Sequence, residues 1–380
     1  MLKDLLKNKG FQVILIIFTG IILRFFFSTF PANYDFESYK IVISILEKGG
    51  NVYAETSRYN YGPLWFGILW FLNLLSQYLS LRLLICSILT IADLGIFYIL
   101  LKKYGLKVAA IFFLNPLCIL ITGFHQQFDN FAVFLGLLAM VFYSKGTEFR
   151  NKFIGLLFLG LSLITKHLLF FFPFWIFFKE KEIKWKVLSL IIPFGFFLMS
   201  FIPFLDKGLS GIIENVFFYR SVNNAPFYYI FVPQFWSQLF PITWVFVLLM
   251  IILGYFFRKK NYFELVLFYF LMLLSFSPAV FYNYFSWVLA SIAIYWNRWF
   301  LTFTLLATFL YLLDGYGLGI ALLINNAPPQ FLYSYYGSRV FDIPILILIC
   351  GVIWVFYKKD ILKFISKNRL FVWFKNKFLI

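Results

Sequence analysis

Apolar runs long enough to cross a lipid bilayer recur along this chain, and they constrain its fold more than any other feature. A transmembrane helix needs about 20 predominantly apolar residues, and the first such run covers 11–30. Only 13% of the 380 residues are charged, against about 25% in soluble domains. Backbone groups find no water in the hydrocarbon and the period-2 alternation of a barrel is absent, so the runs predict helices. We predict an all-α polytopic membrane protein.

The lengths of these runs predict about 11–13 transmembrane helices in a single membrane domain covering 1–380. The expected spans lie near 11–30, 62–79, 82–101, 107–123, 128–143, 153–178 (in one or two pieces), 187–204, 238–257, 262–276, 280–296, 299–320 and 342–357. A basic start followed by an apolar run, without a small-residue cleavage site, predicts that the first helix is retained.

A net charge of +17 raises the possibility of nucleic-acid binding, but the positions of the charges argue against it. Lys and Arg form short clusters between apolar runs, at 179–186, 258–260, 298 and from 358 onward. The positive-inside rule explains such clusters as cytoplasmic turns, so no nucleic-acid partner is predicted. The outer loops are then 31–61, 205–237, 275–285 and 321–341.

One pair of residues conflicts with this assignment. If 62–79 and 82–101 both cross the membrane, Lys102 and Lys103 fall outside, against the rule. Either the pair is an exception, or one of the two segments dips into the membrane without crossing. Charge alone also leaves open which side 125–129 occupies.

The first outer loop, 31–61, predicts an amphipathic helix in the membrane interface. Apolar residues at helical spacing lie opposite polar ones and Gly49-Gly50 ends the pattern; the apolar set is Phe36, Tyr39, Ile43 and Leu46, and the polar set is Glu37, Lys40, Ser44 and Glu47. Asp35 stands where the helix begins. It is a candidate catalytic carboxylate, a candidate N-cap, or both, and Glu37 ranks second because it belongs to the polar face.

Ionisable residues inside apolar spans cost about 2.5–3.5 kcal/mol each on insertion scales and therefore need a reason. These residues are Arg24, Asp93, Asp129, Lys166, His167 and Asp314. Pairing between helices is the alternative to function for each. Lys166 and His167, flanked by Phe and Leu, favour function, because a cation in apolar company suits an anionic lipid headgroup.

Other polar residues cluster near the expected outer turns. His125 and Asp129 are four residues apart, which predicts one helix face and contact with a sugar or a phosphate-binding group; a polar helix-terminal turn is the alternative. Arg220, beside Tyr219 and near Asn224, is typical of phosphate binding with sugar stacking, with a surface-loop arginine as the alternative. The chain has two His and three Cys, the latter all in apolar segments, so no metal site, disulfide framework or cofactor is predicted.

In order, these features resemble the GT-C superfamily of polyprenyl-phosphate-sugar-dependent glycosyltransferases. The likeness is strongest to the mannosyltransferases that add the first mannose in glycosylphosphatidylinositol-anchor assembly, and looser to the dolichyl-phosphate-glucose glucosyltransferases. The motifs that carry it are N-Y-D-F-E-S-Y (33–39), G-G-N-V-Y (49–53), S-R-Y-N-Y-G-P-L (57–64), N-P-L (115–117), H-Q-Q-F-D-N (125–130), T-K-H (165–167), F-F-Y-R (217–220) and Y-N-Y-F-S-W-V-L (282–289).

The resemblance implies a GT-C-like bundle, an outward-facing site, Asp35 as general base and an inverting transfer of a hexose. The family's Asp-x-Asp is Asn33-Tyr34-Asp35 here, which weakens any case for a metal. The expected donor-phosphate residues are Arg220, Lys166, His167 and Arg58. The expected sugar or acceptor residues are Glu37, Tyr59, Tyr61, His125, Asp129, Tyr219, Asn224, Asn283 and Tyr284.

The expected partners are a polyprenyl-phosphate sugar donor, a lipid-linked or glycan acceptor, and membrane lipids. Two other classes remain open: a multi-pass lipid or solute transporter or flippase, and a membrane acyltransferase or O-antigen-ligase-like enzyme. Inverted hydropathy repeats, which many transporters show, are not evident. The modest length without a large soluble domain favours a prokaryotic cytoplasmic membrane, with the endoplasmic reticulum membrane as the alternative.

Overall fold

The computed structural model describes residues 8–145, 148–219, 226–233, 235, 240–313, 318 and 337–367. This part of the chain is helical and contains no β-strand, which confirms the all-α prediction for it. The α-helices are α1 (Lys9–Ser28), α2 (Tyr34–Glu47), α3 (Val52–Glu55), α4 (Pro63–Leu75), α5 (Leu81–Tyr104), α6 (Leu106–Phe113), α7 (Pro116–Leu120), α8 (Asp129–Tyr143), α9 (Phe149–Thr165), α10 (Phe172–Lys179), α11 (Ile183–Met199), α12 (Leu205–Ile212), α13 (Pro226–Phe231), α14 (Ile242–Phe257), α15 (Tyr262–Phe276), α16 (Leu289–Ile294), α17 (Arg298–Leu313) and α18 (Asp342–Lys367).

Within the described ranges, four helical stretches are long and apolar enough to cross a membrane. They are Lys9–Ser28, Leu81–Tyr104, Ile183–Phe217 and Arg339–Lys358. A fifth is added if α6 and the helical stretch Pro116–His125, bent by 47°, count as one span. Shorter apolar helices are α4, α8, α14, α15 and α17. These lengths and compositions are compatible with a membrane protein.

Several expected spans are interrupted in the structure. The segment 153–178 is divided after α9, which agrees with the expectation of two pieces. The segment 107–123 bends at Asn115, whose side chain caps α7 by accepting a 3.0 Å hydrogen bond from the backbone N–H of Leu117. The expectation of one helix over 280–296 is wrong: a 3₁₀ segment, Tyr282–Val288, precedes the six-residue α16. Each break lies beside polar side chains, which compete with the helical backbone for hydrogen bonds.

The amphipathic helix in the first loop is present as α2. Phe36, Tyr39 and Ile43 are buried, and Glu37 lies on the exposed face. The cap is Asn33, whose side chain accepts a 2.9 Å hydrogen bond from the backbone N–H of Phe36. The N-cap role considered for Asp35 is therefore wrong, and its carboxylate is not used by the helix start.

Helix α4 lies beside α2 rather than running away from it. At its start, Gly62 packs against the backbone carbonyl of Ile164, so closely that a side chain would not fit. Near its end, Asn73 donates a 2.7 Å hydrogen bond to Glu47 at the end of α2. The end of α4 thus returns to the end of α2, while its start packs against α9. Of the two explanations for Lys102 and Lys103, this geometry favours a dipping segment.

Basic residues gather at a different end of the bundle. Lys103, at the end of α5, lies over the ring of Phe263 with its Nζ 4.7 Å from the centroid. Lys179 donates to backbone carbonyls of the turn 258–260. Lys152 forms a 2.8 Å ion pair with Glu180. Lys103, Lys179 and the turn 258–260 therefore lie at one end of the bundle.

Candidate functional site

Asp35 lies in the first turn of α2 and contacts a residue from a distant part of the chain. Its Oδ2 lies 2.7 Å from Nε2 of His125. The other ring nitrogen of His125, Nδ1, lies 2.8 Å from the hydroxyl of Tyr311 in α17. The Asp35 side chain keeps 32% of its surface exposed, whereas the His125 side chain keeps 6%. The Asp35 carboxylate is thus held by His125 on one side, and about a third of its side-chain surface remains exposed.

The surroundings of Asp35 favour its ionised form. Burial works against ionisation, but hydrogen bonds from His125 and Gln127 and the charge of Lys166 together hold the pKa of Asp35 below its ordinary value. A carboxylate that accepts several hydrogen bonds is a weaker base, yet it is fully deprotonated at neutral pH. Asp35 can therefore receive a proton without first losing one.

The turn that carries His125 departs from regular α-helix. A π-turn covers Ile121–His125, and Gln126 has a left-handed backbone with φ 59°. Helix α8 then begins at Asp129. His125 and Asp129 consequently do not share a helix face, and the expected i, i+4 stacking is wrong. Instead they belong to two neighbouring clusters.

Two hydrogen bonds join this turn to the first loop. The side chain of Asn33 donates to the backbone carbonyl of His125 at 3.0 Å, and the hydroxyl of Tyr39 donates to the carbonyl of Gln126 at 3.1 Å. The side to which 125–129 belongs, which charge left open, is therefore that of the first loop.

Lys166 and Asp129 form the second cluster. Their Nζ and Oδ2 atoms lie 2.8 Å apart, with the side chains only 4% and 0% exposed. Trp287 donates its indole N–H to Oδ1 of Asp129, and Asn283 donates to Oδ2 at 3.3 Å. Asp129 thus neutralises Lys166, a partner the sequence pattern did not identify.

The helical backbone is interrupted at Lys166 and His167. Lys166 is extended, with φ −153° and ψ 125°, between α9 and the 3₁₀ segment His167–Leu169. Among the described residues, the buried Nδ1 of His167 has no hydrogen-bond partner. Aromatic rings surround the Lys166 ammonium, the closest being Tyr61 at 4.8 Å. A broken helix, a cation and an unpaired imidazole nitrogen therefore meet at one point.

A cavity of about 380 Å³ opens beside this break. Its polar lining includes Asn60, Lys166 and His167, and its aromatic lining includes Tyr61, Tyr219, Tyr284 and Trp287; the rest is Leu168, Phe170, Phe171, Phe197, Val216, Phe217, Thr243, Phe246, Val247, Leu273, Ser277, Pro278 and Ala279. Ligand sites are typically apolar cavities with a few convergent polar groups. The lining suits an amphipathic molecule with an anionic or hydroxylated head.

A fully buried ion pair supports the turn that carries His125. Arg24 Nε lies 2.9 Å from Asp93 Oδ2, and Asp93 also accepts hydrogen bonds from Thr122 at 2.7 Å and Asn130 at 2.8 Å. Thr122 lies within the π-turn itself. For Arg24 and Asp93 the structure thus shows pairing between helices, the alternative considered from the sequence.

The remaining predicted residues lie in various places. Arg58 donates to the backbone carbonyl of Tyr34 at 3.1 Å and covers its ring. Glu37 pairs with Lys40 on the exposed face of α2. Tyr59 is buried and donates to the carbonyl of Gly62 at 2.6 Å. Arg220, Asn224 and Asp314 lie outside the described residues.

Three side chains that contact the site were not among the predicted residues: Gln127, Trp287 and Tyr311. Gln127 and Trp287 stand in the quoted motifs, but Tyr311 lies in an apolar helix without any local signal.

Within the described ranges, no group of three or more His, Cys, Asp or Glu could hold a metal ion. No family model, curated protein or solved structure matches this chain. The function is therefore inferred from the geometry of the site.

Proposed function

We propose that this chain is an inverting, membrane-embedded glycosyltransferase that moves a hexose, with mannose favoured, from a polyprenyl phosphate to a lipid-linked or glycan acceptor. In this proposal the chain forms a GT-C-like bundle of about 11–13 transmembrane helices, in which short and broken helices also lie in the bilayer. The observation that carries the proposal is the partly exposed carboxylate of Asp35, whose pKa is lowered in part by the charge of Lys166, the residue that supplies the cation of the apolar cavity.

Asp35 takes the role of general base. A base must reach the proton that it removes and must be deprotonated at the working pH. Asp35 meets both conditions, since part of its side chain is exposed and its pKa is held low by His125 and other neighbours. Glu37, the second candidate, pairs with Lys40 on the solvated face of α2 and has no such support.

Lys166 and His167 take the role of donor-phosphate residues. One N–H of the Lys166 ammonium contacts Asp129, and an ammonium has three donors, so others remain for a phosphate oxygen. The apolar part of the cavity accommodates the first isoprene units of the donor. Tyr61 and Tyr284, which line the same cavity, provide aromatic faces for the sugar.

The transfer itself needs little covalent help. The acceptor oxygen attacks the anomeric carbon as the bond from that carbon to the phosphate oxygen breaks. The bonding electrons leave with polyprenyl phosphate, and the acceptor proton passes to Asp35. Lys166 and His167 stabilise the charge that develops on the phosphate, and alignment of the acceptor with the anomeric carbon accounts for much of the acceleration. Attack from the opposite side inverts the anomeric configuration.

The charge distribution supports an outer location for the site. The first loop and the turn that carries His125 are joined by hydrogen bonds. The basic residues Lys103 and Lys179 lie at a different end, near the turn 258–260. With basic turns in the cytoplasm, the site opens toward the outer leaflet, where a lipid acceptor would meet it.

The test measures release of polyprenyl phosphate by purified protein from labelled polyprenyl-phosphate mannose, glucose and galactose, with native membrane lipid as acceptor. Asp35→Asn should lower turnover by about 10²–10⁴ and leave donor binding intact. Glu37→Gln is the matched carboxylate control and should retain activity. A product with retained configuration, or an Asp35→Asn variant with near-normal turnover, would contradict the mechanism.

A second function, transport of a lipid or solute, is favoured by one observation. The helix break at Lys166 adjoins a cavity and a buried ion pair, and interrupted helices at a binding site are common in transporters. In proteoliposomes a transporter would move labelled polyprenyl-phosphate hexose across the bilayer without cleaving it. Translocation with no polyprenyl phosphate released would favour this second function.

A further inference from the structure

We infer that His125 and Tyr311 are positioning residues for Asp35, forming a chain of two hydrogen bonds that fixes the orientation of its carboxylate toward the acceptor. This inference rests on the proposed function and gives His125 a role other than the sugar contact expected from the sequence. Both ring nitrogens of His125 already have protein partners, Asp35 at 2.7 Å and Tyr311 at 2.8 Å. No ring nitrogen is left for a substrate.

The direction of the two hydrogen bonds follows from the chemistry of the partners. An ionised carboxylate only accepts hydrogen bonds, so Nε2 of His125 must carry the proton that lies toward Asp35. In the neutral ring Nδ1 is then an acceptor, and the hydroxyl of Tyr311 donates to it. The chain therefore runs from Tyr311 through His125 to Asp35, with one tautomer fixed by its outer partner.

The positions of the three residues explain why such a chain is needed. Asp35 lies in the first turn of α2, and only part of its side chain is exposed. His125 belongs to an irregular turn, and Tyr311 is fully buried in α17. A functional side chain is held more precisely when packed, rigid elements support it. Here α17 supplies the rigid contact, and His125 transmits it.

Other charged or titratable groups face this chain. Lys166 acts on Asp35 from the neighbouring cluster, and Arg82, in α5, acts on Tyr311. Tyr39 and Tyr61 are near enough to sense the charge of Asp35. Gln127 hydrogen-bonds to Asp35 as well. A variant that alters only Tyr311 or His125 leaves all these groups in place, so its effect reports on the chain.

The kinetic test is the pH dependence of kcat/KM for hexose transfer. His125→Leu removes the donor to Asp35 and should move the acidic limb upward by about one pH unit. His125→Gln retains an N–H donor and should restore much of the wild-type profile. Tyr311→Phe deletes one oxygen atom and should lower kcat by about tenfold, the smallest effect seen when partners that orient metal ligands are removed. An acidic limb that His125→Leu leaves unmoved would overturn the inference while Asp35 remains the base.

A second measurement does not depend on activity. The chain contains two His, His125 and His167, so spectra of protein labelled with ¹⁵N-histidine are simple to assign with a His167→Gln variant. In the neutral ring, the wild type should show His125 protonated at Nε2 and not at Nδ1, and Tyr311→Phe should weaken this preference. A ring protonated at Nδ1 with a bare Nε2 refutes the inference even if the protein proves to be a transporter, because Asp35 would then have no donor in His125. The predicted tautomer without hexose transfer refutes the proposed function alone.

Discussion

Removing one partner of the buried pair Lys166–Asp129 should destabilise the protein strongly, whereas removing both should not. The 2.8 Å contact and the near-complete burial of both side chains place the pair where loss of one partner costs about 3–5 kcal/mol. Asp129→Asn leaves an unpaired ammonium among aromatic rings, so it should lower the free energy of unfolding by about 5 kcal/mol. Lys166→Met leaves a carboxylate that still has Asn283 and Trp287 as donors. It should therefore lower the free energy of unfolding by only about 3 kcal/mol.

The double variant Lys166→Met/Asp129→Asn distinguishes structure from function. With both charges gone, the free energy of unfolding should return to within about 1–2 kcal/mol of the wild type, because a buried pair offers little net stability over apolar replacements. The same variant should still fail to bind the donor phosphate, since the ammonium is missing. Stability therefore recovers while donor affinity does not.

The assay is reversible unfolding in mixed micelles, followed by tryptophan fluorescence and circular dichroism. The matched control is the exposed pair Glu37–Lys40, with side chains 50% and 54% exposed, for which the corresponding cycle should give a coupling below about 1 kcal/mol. If the two buried substitutions prove additive, the ion pair does not exist in the folded protein. The assignment of Lys166 to this cluster would then be refuted.

Three further predictions concern pH, packing and sidedness. Because the pKa of Asp35 is lowered on folding from an unfolded value of about 3.9, its ionised form contributes stability above that value and loses it as the pH falls through the folded pKa; the stability difference between wild type and Asp35→Asn should therefore shrink below about pH 4. Gly62→Ala should disrupt folding, since its Cβ would meet the carbonyl at the end of α9, whereas Gly67→Ala, with open space around it, should not; equal unfolding free energies would contradict this packing. In a background with the native Cys replaced, an impermeant thiol reagent added to spheroplasts should label Glu37→Cys and not Lys103→Cys, and the reverse pattern would invert the topology.

The helical class and the first loop could be predicted from the sequence because both depend on local patterns. Apolar spacing identified α2, and polar residues in apolar company identified Lys166 and His167. Their partners could not be found in this way. Tyr311 stands 186 positions from His125, and such a pairing is set by how helices pack rather than by any neighbouring residue.

Spacing alone was misleading where the backbone is irregular. The four-residue separation of His125 and Asp129 predicts a shared face only on a regular α-helix. A π-turn and a left-handed residue lie between them and direct the two side chains to different clusters. The position of Asp35 at the start of the amphipathic pattern likewise predicts an N-cap there. The cap is instead Asn33, two residues earlier, whose side chain accepts a hydrogen bond from the backbone of the first turn.

The buried contact between Arg24 and Asp93 also has a consequence for how the chain is made. The two residues are 69 positions apart, and ribosomes add about 5–20 residues per second, so Arg24 emerges roughly 3–14 s before its counter-ion. In the proposed membrane protein, α1 would during that time carry an unpaired guanidinium, at a cost of about 2.5–3.5 kcal/mol in lipid. We expect the nascent α1 to be retained at the protein-conducting channel until α5 arrives, and the two helices to be released into the bilayer together.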